Sequence, residues 1–445
     1  MSGPATHATE AALARIARLD PRLHAFATVS AADAREQARH LDARAAQGTP
    51  PGPLYGTVVG VKDIIDVAGL RTGGGSRTRE GAAPAAADAL VVARLRAAGA
   101  VLVGKTHTVE YAFGGWGTNV TIGTPRNPWD GSHARAPGGS SSGSGVAVAA
   151  GLVPMALGTD TGGSVRLPAA FCGIVGLKTT FGLIPLDGVL PLGVRFDSIG
   201  PMAASVADTA RLFRAMLAED AASLPGAALL AAPEQLGAKG LAGRRIGVLD
   251  TPDVRLHADT ARVLEETKRL LASLGAVLVP ARLPRPVTGY VQAMNTLIGP
   301  GGYHLYAALA EAEPNLLGPP IRARMLAGRE VPAHQLVAEQ ARQRADIAAT
   351  AELFAEIDAL LTPTTAFPAP RLEDCDEAVS PAIFTRCVNY LDLAAISLPM
   401  GRSAGGLPIG MQLAVPGRQD VRALAFAAAL EAARGAFAGP DLGWC

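Results

Sequence analysis

Three short stretches carry residue types that could perform covalent chemistry. In the first, Lys62 follows the apolar run Val58 to Val61. A charged lysine is costly inside an apolar strand, and burial lowers its pKa toward the neutral, basic form. A Lys62–Asp63 ion pair, or an edge lysine reaching water, accounts for the same residues. The second stretch is the block Gly138 to Gly143, with Ser140, Ser141 and Ser142 in a row. The third, Gly158 to Arg166, reads GTDTGGSVR. Gly162 and Gly163 let backbone N–H groups turn toward one point, where they could hold an oxyanion, and Ser164 closes that loop where a nucleophile would stand. Taken singly, the serine block reads equally as a soluble loop and the third stretch as a glycine-rich turn.

Two formal motifs fail on context. Gly99 to Thr106 fits GxxxxGK[ST], but a helix precedes it and its intervening AVLV belongs in a strand rather than a phosphate-cradling loop. Gly139 to Gly143 fits GxSxG, but Arg135 to Gly138 ahead of it is not strand-like. The last histidine, His334, also lies far before the chain end. The 8 histidines show no metal spacing. Cys172, Cys375, Cys387 and Cys445 form no CxxC, so no metal site and no disulfide framework is expected, and a reducing cytoplasm is the default.

These residues need elements to hold them. The sequence predicts helices over Glu10 to Leu19 and Ala31 to Gln47, then a β-branched strand over Thr57 to Asp66. A helix over Asp88 to Ala98, closed by Gly99, leads into the buried strand Ala100 to Val103. The same helix–glycine–strand order recurs at Val263 to Leu274, Gly275 and Ala276 to Val279, which indicates alternating α and β elements. Further strands are expected at Arg245 to Leu249, Ala359 to Thr362 and Ala395 to Leu398, with a closing helix at Ala423 to Ala433. Ala221 to Ala242 reads as a surface connection. Gly299 to Gly302 reads as a break in the stretch Pro284 to Arg344. The glycine/serine-rich region from Gly114 to Gly188 is interleaved with apolar runs, which a flexible linker would lack.

In combination, the segments resemble the amidase signature family of serine hydrolases. The matching stretches are Gly56 to Asp63, Gly104 to Thr106, Pro137 to Gly143, Gly158 to Arg166, Leu360 to Thr364 and Gly406 to Gln412, in family order. The resemblance implies one large α/β domain over residues 1–445, a twisted mixed sheet covered by helices on both faces. Its core would span about 55–215 and 350–435, with a variable substrate segment at about 280–350. It implies a Ser–Ser–Lys triad of Ser164 as nucleophile, Ser140 as bridging serine after a cis Gly139–Ser140 peptide, and Lys62 as base. The amides of Thr161, Gly162, Gly163 and Ser164 would form the oxyanion hole. Ser141 would bond Lys62, Asp160 and Arg166 would brace the loop, and Ala112, Phe113, Gly114 and Gly139 would line the substrate site. Ser142 and His107 stand where many relatives carry glycine and asparagine, a change that bears on the site lining.

The activity implied is hydrolysis of a small or medium amide, with aryl amides, carbamates and esters open to the same acyl chemistry. The alternative is the glutamine-hydrolysing component of a tRNA amidotransferase complex. No metal or cofactor is expected. Composition agrees: 445 residues with Lys+Arg 40 against Asp+Glu 39 give a net charge of +1, which argues against a global basic field for nucleic acid. The longest apolar runs, such as Val146 to Leu157, are interrupted and too short to span a bilayer, and no secretory signal is expected at the N-terminus. The low charge fraction of 18% is compatible with a buried homodimer interface.

Overall fold

In the segment Val58–Lys62, alternate side chains go to opposite sides. Val59 and Val61 enter one apolar cluster, while Val58 enters another. Period-two alternation with both faces buried describes a central strand covered on both sides. The computed structural model describes residues 3–217, 222–237 and 240–445. Its strands are β1 (Phe26–Val29), β2 (Val58–Lys62), β3 (Val101–Thr106), β4 (Met155–Asp160), β5 (Val175–Lys178), β6 (Ser198–Ala203), β7 (Arg245–Leu249), β8 (Val277–Ala281), β9 (Ala359–Pro363), β10 (Leu393–Arg402) and β11 (Pro408–Pro416). They form one 11-stranded sheet in the order β1-β3-β2-β4-β6-β5-β10-β11-β9-β7-β8. Pairing is mixed: β2 runs parallel to β3 and β4, whereas β10 runs antiparallel to β5 and β11.

The helices are α1 (Pro4–Leu23), α2 (Ala31–Ala46), α3 (Leu90–Ala97), α4 (Ser142–Ala149), α5 (Arg166–Cys172), α6 (Val206–Leu217), α7 (Ala258–Ser273), α8 (Gly289–Glu311), α9 (Pro319–Arg329), α10 (Ala333–Glu356), α11 (Ile383–Tyr390) and α12 (Asp420–Arg434). Helices α1, α2, α4 and α5 share the cluster of Val58, while α3, α6, α7 and α12 share that of Val59. The expected mixed α/β sheet with helices on both faces is therefore what the chain forms. Among the described residues no helix is long and apolar enough to cross a membrane.

Several expectations need correction. The strand predicted to Asp66 ends at Lys62, because the Lys62 carbonyl accepts from both Ile64 and Ile65 N–H and turns the chain. No break occurs at Gly299 to Gly302: α8 runs through it and departs from helical geometry only at Tyr306. There the glycines serve packing. A Cβ on Gly328 of α9 would stand 2.0 Å from the Gly299 carbonyl oxygen, so two helix backbones meet where side chains cannot fit. The expected surface connection Ala221 to Ala242 lies outside the described residues at 221, 238 and 239. Elsewhere in it, Leu224, Leu230, Leu236 and Leu241 are buried, so it packs against the core.

Topology places the chemistry. Strands β2 and β4 are adjacent and parallel, with Val61 opposite Leu157. Their carboxyl ends therefore deliver Lys62 and Asp160 to the same edge of the sheet, the side on which α/β folds place their ligands. The loop from β4 to α5 carries Thr161 to Ser164, and Ser140 and Ser141 immediately precede α4, which begins at Ser142.

Candidate active site

Lys62 is fully buried, and its Nζ is hydrogen-bonded to Ser140 Oγ and Thr159 Oγ1, both at 2.7 Å. Burial lowers its pKa to about 7, against the weaker opposing pull of Asp160 and Asp197. The simpler explanation, a pair with Asp63, does not hold: Asp63 pairs with Lys105 at 3.0 Å. Lys105 lies in β3, so the GxxxxGK[ST] match ends in a strand, as its context implied.

The Gly139–Ser140 peptide is cis. Thr108 Oγ1 and the Val109 N–H donate to the Ser140 carbonyl at 3.0 and 3.1 Å, and the Ser141 N–H donates to the Ser164 carbonyl at 3.2 Å. The serine block and the glycine loop are thereby tied together. Ser141 does not bond Lys62 as expected. Its hydroxyl donates to the Thr159 carbonyl at 3.3 Å and accepts from the Thr159 N–H at 3.2 Å, so Thr159 holds both Ser141 and Lys62.

Asp160 and Arg166 are bonded to each other, and Asp160 also accepts from the loop at Gly163. Arg166 Nε and Nη2 donate to Asp160 at 3.0 Å each, and both side chains are fully buried. Burial pushes the Asp160 carboxyl up, but Arg166, Lys178 and Asn389 outweigh it and hold the pKa at about 2. Arg166 also donates to Asn389 Oδ1, Gln412 Oε1 and the Thr385 carbonyl, which pins α11 and β11 to the loop. Breaking a buried pair of this kind costs about 3–5 kcal/mol.

One expected oxyanion donor is lost. The Gly163 N–H donates to Asp160 Oδ1 at 2.7 Å and so has no proton left to offer a substrate. The amides of Thr161, Gly162 and Ser164 remain as candidates. Gly163 has φ of +133°, and a Cβ there would lie 2.2 Å from Thr385 Oγ1, so only glycine fits. Asp197, which sequence reasoning passed over, accepts from Thr161 Oγ1 and from the Leu192 and Gly193 N–H groups. Thr385 Oγ1 donates to the Gly162 carbonyl at 2.8 Å.

A cavity of about 500 Å³ opens on Ser164, Thr161 and Gly162. Ala112, Phe113 and Gly114 line it. Gly139 does not line it. Its N–H donates to the Gly115 carbonyl at 2.7 Å, and a Cβ there would meet the Gly117 nitrogen at 2.7 Å, so it positions the 114–117 backbone. Ser142 and His107 do not line it either. Both are buried, and among the described residues Ser142 Oγ and His107 Nδ1 have no hydrogen-bond partner. Burial, with a smaller contribution from His24, lowers the His107 pKa to about 4, so this ring is neutral. The far wall comes from α8, α9 and α11, including Arg324 and Arg386, which no sequence motif marked.

The structure thus sets a buried, neutralisable lysine and a serine cluster beside a glycine loop that opens on a cavity. The amidase family profile matches residues 7–424, and the chain belongs to that family. It is accordingly a hydrolase acting on carbon–nitrogen bonds. The 2-amino-5-chloromuconic acid deaminase of Comamonas testosteroni is 38% identical over 430 residues, spanning 94% of this chain and 90% of that one. The A subunit of the glutamyl-tRNA(Gln) amidotransferase of Symbiobacterium thermophilum is also 38% identical, covering 92% of this chain and 89% of that one. The peptide amidase of Stenotrophomonas maltophilia superposes with a TM-score of 0.83 at 32% identity, covering 99% and 95% of the two chains.

Proposed function

We propose that the chain is a self-sufficient amidohydrolase that cleaves small or medium amides through Ser164, Ser140 and Lys62. The observation that carries this is the fully buried Lys62, with its pKa near 7, bonded at 2.7 Å to Ser140. A serine hydroxyl is a weak nucleophile and needs a base. Neutral Lys62 accepts the Ser140 proton as Ser140 accepts that of Ser164. The Ser164 oxygen bonds to the carbonyl carbon, and the oxyanion is held by the amides of Thr161, Gly162 and Ser164. Losing one such donor costs about 2.7–4 kcal/mol. The proton returns through Ser140 to the amide nitrogen, the C–N bond breaks, and the amine leaves. Water then attacks the acyl-enzyme by the same relay and frees the acid. The reacting residues come from positions 62 to 164, and the cavity they open on is closed by residues as distant as Arg324 and Arg386, which supports a chain that works as one domain.

Carbamates and esters are open to the same chemistry. A hydrolysis screen over anilides, primary amides, carbamates and esters, with Ser164→Ala as control, tests the reading. Turnover that survives Ser164→Ala refutes it. The 38% identity to a glutamyl-tRNA(Gln) amidotransferase component supports a second reading, a glutamine hydrolase working inside a complex. In that case the purified chain would release ammonia from glutamine only with its partners present, and would leave anilides intact.

A further inference from the structure

Arg386 of α11 lines the cavity that holds Ser164. It packs against the oxyanion loop: a Cβ on Gly162 would lie 3.5 Å from its Cγ and 3.8 Å from its Nε. Its Nη1 donates to the Val291 carbonyl and to Asn295 Oδ1, both at 2.7 Å, which fixes the guanidinium against α8. Both acceptors are neutral. Among the described residues no carboxylate pairs with Arg386, and no acceptor takes its Nε or Nη2 protons.

The other charges in the wall are already matched. Arg324 pairs with Glu377 at 2.6 Å, and Glu330 pairs with Arg329 at 2.9 Å. Burial and the neighbouring Arg324 lower the Arg386 pKa to about 10, which still leaves it charged near neutrality. Among the described residues the cavity thus carries one unmatched cation, set against the loop that ends in Ser164, among apolar walls such as Leu167, Leu192 and Ile298. Tying α11 to α8 accounts for Nη1 alone. A fixed guanidinium with donors left over suits a carboxylate, which it binds through parallel N–H bonds.

We infer that the amide substrate bears a carboxylate, and that Arg386 binds it as a specificity-determining residue. This rests on the amidohydrolase reading above and narrows its substrate class.

Matched pairs of anilides test it. Glutaric acid monoanilide against valeranilide places the charge on the acyl half; 4-(butyrylamino)benzoate against butyranilide places it on the amine half. The expected result is a higher kcat/KM for the anionic member of at least one pair. Arg386→Met should shrink that anion-to-neutral ratio by about 10- to 100-fold, the worth of a charged hydrogen bond, and Arg386→Lys should keep part of it. Binding of the same anilides to Ser164→Ala, followed by calorimetry, reads recognition without turnover. The anionic members should bind, and adding Arg386→Met should remove that binding. If Arg386→Met does not fold, Arg386→Lys carries the comparison, with a partial fall in ratio and binding expected. Preference for the neutral member in both pairs, a ratio unmoved by the Arg386 variants, or absence of anion binding to Ser164→Ala overturns the inference. Anion binding through Arg386 in a wild-type chain that hydrolyses none of the four would uphold Arg386 as the carboxylate-binding residue while refuting the self-sufficient hydrolysis of simple amides on which the substrate class rests.

Discussion

Replacing Lys62 with methionine should destroy activity and stabilise the protein, most strongly in acid. Lys62 is fully buried, and its pKa drops from 10.5 to about 7 on folding. At 1.36 kcal/mol per pH unit, that drop is worth roughly 4–5 kcal/mol. The sign follows from proton uptake. Between pH 7 and 10.5 the unfolded chain binds a proton that the folded chain does not, so wild-type stability rises with pH through this window. Below pH 7 the folded protein carries a buried charge and bears the whole cost. Methionine has similar reach and no charge, so Lys62→Met removes a penalty that is full at about pH 6. By about pH 9.5 the same penalty has shrunk by roughly 3 kcal/mol. Lost hydrogen bonds to Ser140 and Thr159 offset part of the gain equally at both pH values. Urea denaturation of both proteins at about pH 6 and about pH 9.5 provides the assay. The advantage of the variant should be larger at the lower pH by roughly 3 kcal/mol. An advantage that does not change with pH would refute the depressed pKa, and with it the neutral base.

Three further outcomes follow from the same geometry. Lys62→Ala should reduce kcat/KM for anilides more than for activated esters, because a poor amine leaving group needs the returned proton; equal losses on both would remove Lys62 from leaving-group protonation. Gly163→Ala should lose about 2–4 kcal/mol of stability in denaturant titrations, from its contact with Thr385 and its φ of +133°; a variant as stable as its parent would contradict that crowding. Asp197→Ala should lower kcat with little change in KM, because Asp197 holds Thr161 and the 192–193 turn rather than the substrate; a change confined to KM would place it in binding instead.

Much of the site was legible because its residues lie in contiguous runs. Gly158 to Arg166 contains the loop amides, Ser164 and the Asp160–Arg166 brace, all within one strand–loop–helix unit. Lys62 was legible from its apolar neighbours, which predict burial. The donor count in the loop was not. Gly163 looks like an oxyanion amide until Asp160, three residues earlier, is seen to take its proton. The Ser141 role went astray in a related way: threonine at position 159 sits in a strand, where its hydroxyl carries no motif, yet it reaches Lys62. Arg324, Arg386 and Asp197 were invisible because each depends on long-range contacts, such as Arg386 to Val291. Gly299 to Gly302 misled in the opposite direction, since glycine at a close helix crossing and glycine at a break look alike in sequence.

Amide cleavage by this route requires Ser164 to be the nucleophile. Treating the protein with a fluorophosphonate and locating the added mass by peptide mapping tests it directly. One adduct is expected, on Ser164, formed in step with loss of amide hydrolysis and absent from Ser164→Ala. Full inactivation with the adduct on another residue, or labelling that persists in Ser164→Ala, would contradict it.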